Sequence, residues 1–94
     1  DNMTKFVLIL YMCSQLSGQC PSSAIPGYQF ETHTACVEYG YRAAYSTFQN
    51  LEKNEPDTFT KEFIENSRIA VRFECKAIEV PKEIVPPKKP KVAT

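Results

Sequence analysis

The sequence predicts a small α/β domain, a β-α-β unit with two main strands, one long helix and a short second helix. Three observations carry this. A seven-residue apolar run at residues 6–12 is strand-like. Apolar residues at Val37, Tyr41, Ala44, Phe48 and Leu51 recur at helical spacing. From Arg68 to Ala77, apolar and charged residues alternate. The chain has 94 residues, enough for one domain and too few for two cores, which excludes multi-domain enzymes. With 43% hydrophobic and 23% charged residues, collagen-like, disordered and coiled-coil classes are excluded.

Asp1 and Asn2 precede Met3, Thr4 and Lys5, which read as a natural start, so the first two residues are taken as processing remnants. In the first strand Phe6, Leu8, Leu10 and Met12 share one face, and Val7, Ile9, Tyr11 and Cys13 the other. Both faces are apolar, as in a strand covered on two sides. Lys5 ahead of this run also has the form of a short signal segment. Seven residues is the lower limit for that role and far short of the ~20 that span a bilayer. Cleavage after Gly18 would leave an odd number of cysteines, so a structural strand is the preferred reading, and no membrane span is expected.

Residues 14–29 contain Gly18, Pro21, Ser22, Ser23, Pro26 and Gly27, the chemistry of a long loop pinned by Cys20. Thr32 or Thr34 caps the long helix, which Asn54, Glu55 and Pro56 stop. Cys36, Gly40 and Ala43 lie beside its apolar stripe. Asp57 or Thr58 opens the short helix, through Thr60 to Asn66, and Phe59 and Phe63 point to the core. In the last strand Ile69, Val71, Phe73, Cys75 and Ala77 form the buried face. Residues 3–80 are thus one domain, and residues 81–94 a Pro- and Lys-rich flexible tail. The formal net charge of +0 divides into −3 on residues 1–80 and +3 on the tail.

Strand, helix, strand invites a right-handed crossover between parallel strands, although an antiparallel pair stays open. A parallel pair would gather Cys13, Cys36 and Cys75 at one pole with the Cys20 loop. The favoured pairings are then Cys20 with Cys36 and Cys13 with Cys75, each worth ~3 to 4 kcal/mol in the chain-entropy model. The cysteine gaps of 6, 15 and 38 residues do not match zinc-ligand spacing, and reduced cysteines filling the core are the plain alternative.

His33 and Cys36 are the one catalytic-looking pair. Three apart at a helix start, they could form a low-pKa thiol and a small thiol-redox enzyme, but no close resolving cysteine or orienting carboxylate accompanies them. Phosphate loops, a Ser elbow and carboxylate pairs are absent from the sequence, so neither a cofactor nor a metal is expected. Lys82, Lys88, Lys89 and Lys91 make the tail basic. Against an acidic body they read as a protein-partner contact rather than specific nucleic-acid recognition.

The first strand ending in Cys13 and Ser14, Cys20 before Pro21, Cys36 followed by Gly40 and Tyr41, and the final Val71, Arg72, Phe73, Glu74, Cys75 and Lys76 together resemble small uncharacterised four-cysteine proteins of marine bacteriophages. The resemblance covers roughly residues 5–78. It implies a viral origin and a shared four-cysteine scaffold, with no catalytic residues to carry over. The expected function is a phage-type binding or assembly protein, an accessory or virion component that forms a homo-oligomer. Expected locations are the virion or host cytoplasm for a phage protein, and an oxidising compartment if disulfides form.

Overall fold

A computed structural model describes residues 1–82; Lys88, Lys89 and Lys91 lie outside the described residues. The elements are β1 (Asn2–Ser14), β2 (Gln19–Ala24), β3 (Gln29–Phe30), α1 (His33–Gln49), α2 (Leu51–Asn54), α3 (Lys61–Ser67) and β4 (Ile69–Pro81). The mixed α/β class is as expected. The sheet, however, has four strands and is antiparallel throughout.

β1 is its centre. β4 pairs with β1 over the full length, from Asn2 opposite Pro81 to Ser14 opposite Ile69. The other edge of β1 is shared by β2, beside residues 10–14, and β3, beside Phe6 and Val7. Asn2 belongs to this ladder, and the Asp1 carbonyl accepts the Lys82 amide at 2.8 Å. Strand β2 was expected to be loop. Its prolines and serines carry no apolar alternation, and all six residues are exposed. Pro21 is tolerated because an edge strand leaves one row of backbone donors unpaired.

The expected parallel crossover is corrected by the path between β1 and β4. Gly18, at φ +78°, turns the chain back along β1, and β3 returns it beside Phe6. Helix α1 starts there, with His33 edge-on to Phe6 at 5.5 Å between ring centroids. It then climbs in the direction of β1, and α3 delivers β4 beside Ser14, so β4 has to run downwards. Apolar periodicity carries no information about strand direction, and the short returning strands decided it.

Thr32 caps α1, its Oγ1 accepting the Ala35 amide at 3.0 Å. The cap of α3 is Thr60 rather than Asp57 or Thr58, with the Phe63 amide donating at 3.1 Å. Arg68 ends α3 in the left-handed region at φ 52°. Two bonds then tie this corner to the top of β1: Ser14 Oγ donates to the Ser67 carbonyl at 2.7 Å, and the Gln15 amide to the Arg68 carbonyl at 2.8 Å.

The core lies between α1 and the face of the sheet formed by Phe6, Leu8, Leu10 and Met12 with their register partners Ala77, Cys75, Phe73 and Val71. Leu8 and Cys36 are fully buried. The buried line of α1 is Cys36, Gly40 and Ala44, continued by Leu51 of α2. Ala44 and Leu51 of the expected stripe are thus in the core, but Tyr41 is 68% and Phe48 40% exposed, and the small Cys36 and Gly40 face the sheet in their place. Phe63, expected in the core, is 43% exposed and meets Phe59 edge-on.

Candidate functional site

The four cysteines form two disulfides, in a pairing different from the one expected. Cys13 bonds Cys20, and Cys36 bonds Cys75. The correction follows from topology. In an antiparallel ladder Cys75 sits opposite Leu8, mid-strand, directly beneath the first turn of α1. Cys13 is at the far end of β1, where the β1–β2 hairpin presents Cys20. The four cysteines therefore do not converge at one pole. One disulfide closes the hairpin, and the other fastens the helix to the sheet.

Both partners of the catalytic-looking pair have other occupations. Cys36 is fully buried and bonded to Cys75, while the ring of His33 rests against Phe6. No described cysteine is a free thiol. Among the described residues no three His, Cys, Asp or Glu side chains converge. No helix among them is long and apolar enough to cross a membrane. Of the tail lysines, Lys82 is described and exposed, and it is fixed through its backbone amide.

Three surface features remain. On the sheet face away from α1, Val7, Ile9 and Tyr11 lie opposite Lys76, Glu74 and Arg72. Val7 and Ile9 are half-buried there. The Tyr11 hydroxyl donates to Glu74 Oε1 at 2.8 Å. That bond, with partial desolvation and the carboxylate's charge, holds the Tyr11 phenol above its ordinary value of 10.0. A shallow hollow between this pair, Arg72 and the Cys13–Cys20 disulfide is open to solvent.

The second feature is the flank of α1 that faces β3. Tyr39 meets Tyr28 and Phe30, with centroids 5.3 and 5.4 Å away, and the Arg42 guanidinium lies 5.8 Å from the Tyr39 ring. Hydrogen bonding with Tyr28 is the main cause of the upward shift of the Tyr39 phenol, with partial desolvation next and Arg42 opposing it. This cluster secures the segment between β2 and α1 against the helix, with Tyr39 and Phe30 half-buried and Tyr28 still 53% exposed.

The third feature is the opposite flank of α1. Val37, Tyr41, Tyr45 and Phe48 succeed one another there, and Tyr41 packs edge-on against Phe73 of β4 at 4.9 Å. Because the first flank looks toward β3, this one looks past β4, the last strand of the sheet. Tyr41 and Tyr45 are 68% and 66% exposed. Gln49 Nε2 donates to the Tyr45 hydroxyl at 2.8 Å, which directs its polar tip along the helix. Val37, Tyr41 and Phe48 of this row belong to the stripe read from the sequence, and Tyr45 does not. What the sequence does not contain is which half of the wide apolar arc meets the sheet.

The chain matches no family model, no curated protein and no solved structure. The surface geometry is therefore the basis for a functional reading.

Proposed function

We propose that the chain is a small phage-type binding or assembly protein, an accessory or virion component that works as a homo-oligomer without catalytic chemistry. The observation that carries this reading is the exposed aromatic flank of α1, where Tyr41, Tyr45 and Phe48 lie in one row beside the last strand. Large apolar side chains scattered singly are ordinary on a protein surface. A continuous row beside a sheet edge is the kind of surface that a partner covers.

The cystines support the same reading. All four thiols are consumed in bonds that stiffen the scaffold, one across the hairpin and one between helix and sheet. Such bonds persist in an oxidising compartment or in an assembled particle, and they suit a structural part. The basic tail, beginning at Lys82, supplies a contact for a second, protein partner.

Light scattering on the full chain at micromolar concentration tests the oligomer. A mass that is a multiple of the 10.7 kDa chain supports it, and a strict monomer overturns it.

A further inference from the structure

We infer that two copies of this chain join through the outer edge of β4, strand antiparallel to strand, so that the two sheets become one and the aromatic flanks of the two α1 helices meet over the seam. This rests on the oligomeric reading above and names its partner and geometry.

The edge is long. Among the described residues β4 pairs only with β1, so thirteen residues, Ile69–Pro81, present an unpaired row of backbone donors and acceptors on their other side. An edge of this length is a template for another strand unless something blocks it. Charge is the common blocking device, and β4 has charges on the face away from α1: Arg72, Glu74 and Lys76 in succession. A row of one sign would repel a second copy. This row alternates in sign, which makes it complementary to itself.

Register decides how. In an antiparallel pair of identical strands, the two-fold axis passes through one residue position, and side chains at equal distances on either side of it face each other. An axis at Glu74 sets Glu74 against Glu74 and is unfavourable, and axes at Arg72 or Lys76 oppose like charges in the same way. An axis at Phe73 sets each Glu74 opposite the other copy's Arg72. An axis at Cys75 sets each Glu74 opposite the other copy's Lys76. Each of these two registers brings two opposite-charge pairs onto one face, and both are centred on a residue of the helix-covered face.

That same symmetry places both α1 helices on one side of the joined sheet. Neighbouring strands lie about 4.8 Å apart, and α1 overlies β4 and β1, so the helices approach to roughly the 8–10 Å at which helices pack. The flanks turned toward each other are those of Tyr41 and Tyr45, the most exposed side chains of the row, while Phe48 borders Ile64 of its own α3. The open edge, the alternating charges and the aromatic row are met by one arrangement.

A charge-swap pair tests it. Glu74→Lys makes the row uniformly basic, and Arg72→Glu with Lys76→Glu makes it uniformly acidic. Each variant alone is expected to run as a monomer at a concentration where the wild type is a dimer, and an equimolar mixture is expected to recover the dimer mass. If the wild type and both variants are all dimers, edge pairing is overturned while the oligomeric reading stands. A wild-type monomer overturns both. Hydrogen exchange on the wild type needs no variant to fold: in the joined sheet, successive amides along the middle of β4 are all slow. Alternate fast and slow amides along β4 in a wild-type oligomer mean the outer edge is free, and that result overturns the pairing.

Discussion

The backbone of Gly40 rests directly on the ring of Phe73. A methyl group at position 40 would lie 2.9 Å from the ring's Cγ and closer still to two of its edge carbons, a separation that real side chains do not tolerate. The absence of a side chain at one helical position thus sets how near α1 comes to β4, and so whether Cys36 can reach Cys75.

Gly40→Ala is therefore expected to destabilise the fold, although Ala is the better helix former by about 1 kcal/mol. Overpacking of this kind typically costs about 1–3 kcal/mol, and the ring cannot swing freely because Tyr41 closes on it from the other side. Urea denaturation measures the difference. A variant as stable as the wild type would mean that the helix simply rides higher. Adding Phe73→Leu should restore part of the loss, since the two changes share one contact.

The two disulfides should contribute unequally. Cys36 and Cys75 are 39 residues apart and Cys13 and Cys20 only 7. Closing those loops is worth about 4 and about 2 kcal/mol in the chain-entropy model. Replacing Cys36 and Cys75 with Ala should lower the denaturation midpoint more than replacing Cys13 and Cys20. The intact oxidised chain should weigh about 4 Da less than the reduced one, two hydrogens for each bond. Cleavage after Tyr28 separates Cys20 from Cys36, so fragment masses can decide the pairing. A fragment joining Cys20 to Cys36 would contradict the fold. The same sample reports on the thiol-redox alternative, because Cys36 should resist alkylation until its bond to Cys75 is reduced.

Two of the five tyrosines should titrate late. For Tyr11 and Tyr39 the folded-state value lies above the ordinary 10.0, so the neutral phenol is the form that the fold favours. Their contribution to stability is complete below the unfolded value and is lost as pH climbs through the raised folded values. Ultraviolet titration of the phenolates should show a delayed fraction in the folded protein, and Tyr11→Phe should remove one part of it. Glu74→Gln should instead bring Tyr11 back toward the ordinary value, since the carboxylate is both its hydrogen-bond acceptor and the charge beside it. An unchanged delayed fraction in Tyr11→Phe would show that the Glu74 bond does not persist in solution.

Arg68→Gly should stabilise. Arg68 ends α3 at φ 52° and ψ 54°, a left-handed conformation that costs an L side chain about 1–2 kcal/mol and costs glycine little. Glycine's greater freedom in the unfolded chain returns part of that, leaving a gain of up to about 1 kcal/mol. Thermal melting checks it. A loss of stability would show that the Arg68 side chain makes a contribution larger than the strain.

Much of the element plan was legible in residue order alone. The start of the long helix was narrowed to Thr32 or Thr34, and Asn54, Glu55 and Pro56 do end the helical stretch. The chain breaks at Asn50 into α1 and the short α2, however, where the sequence reads as one helix. The two faces of β4 followed from the alternation between residues 71 and 76, because neighbouring strand residues point to opposite sides, although Ala77, expected on the buried face, is exposed. The oxidisable set of four cysteines was also legible, although its pairing was not. Periodicity is a property of one element at a time, whereas a disulfide depends on how two elements lie across each other.

The short strands were the least legible part and the most consequential. β2 is exposed and rich in Ser and Pro, and β3 is two residues long, so neither has an apolar pattern to announce it. Their pairing with β1 nevertheless returns the chain to Phe6, sends α1 upward and forces β4 to run antiparallel. That direction exchanged the cysteine partners. It also left the outer edge of β4 beside the aromatic flank of α1.

By itself, then, the sequence determined the mixed α/β class and the approximate places of the helical stretches and the two long strands, and it left open whether the cysteines are oxidised. Local propensity and side-chain period are encoded residue by residue, and they need no knowledge of neighbours far along the chain. Only the tertiary structure decided strand direction, cysteine pairing and which part of the α1 arc meets the sheet. Gly40 shows why. On a helical wheel it counts as a weak position beside a strong stripe of Val37, Tyr41 and Phe48, yet close packing against Phe73 selects the small residue for the interface and turns the large ones outward.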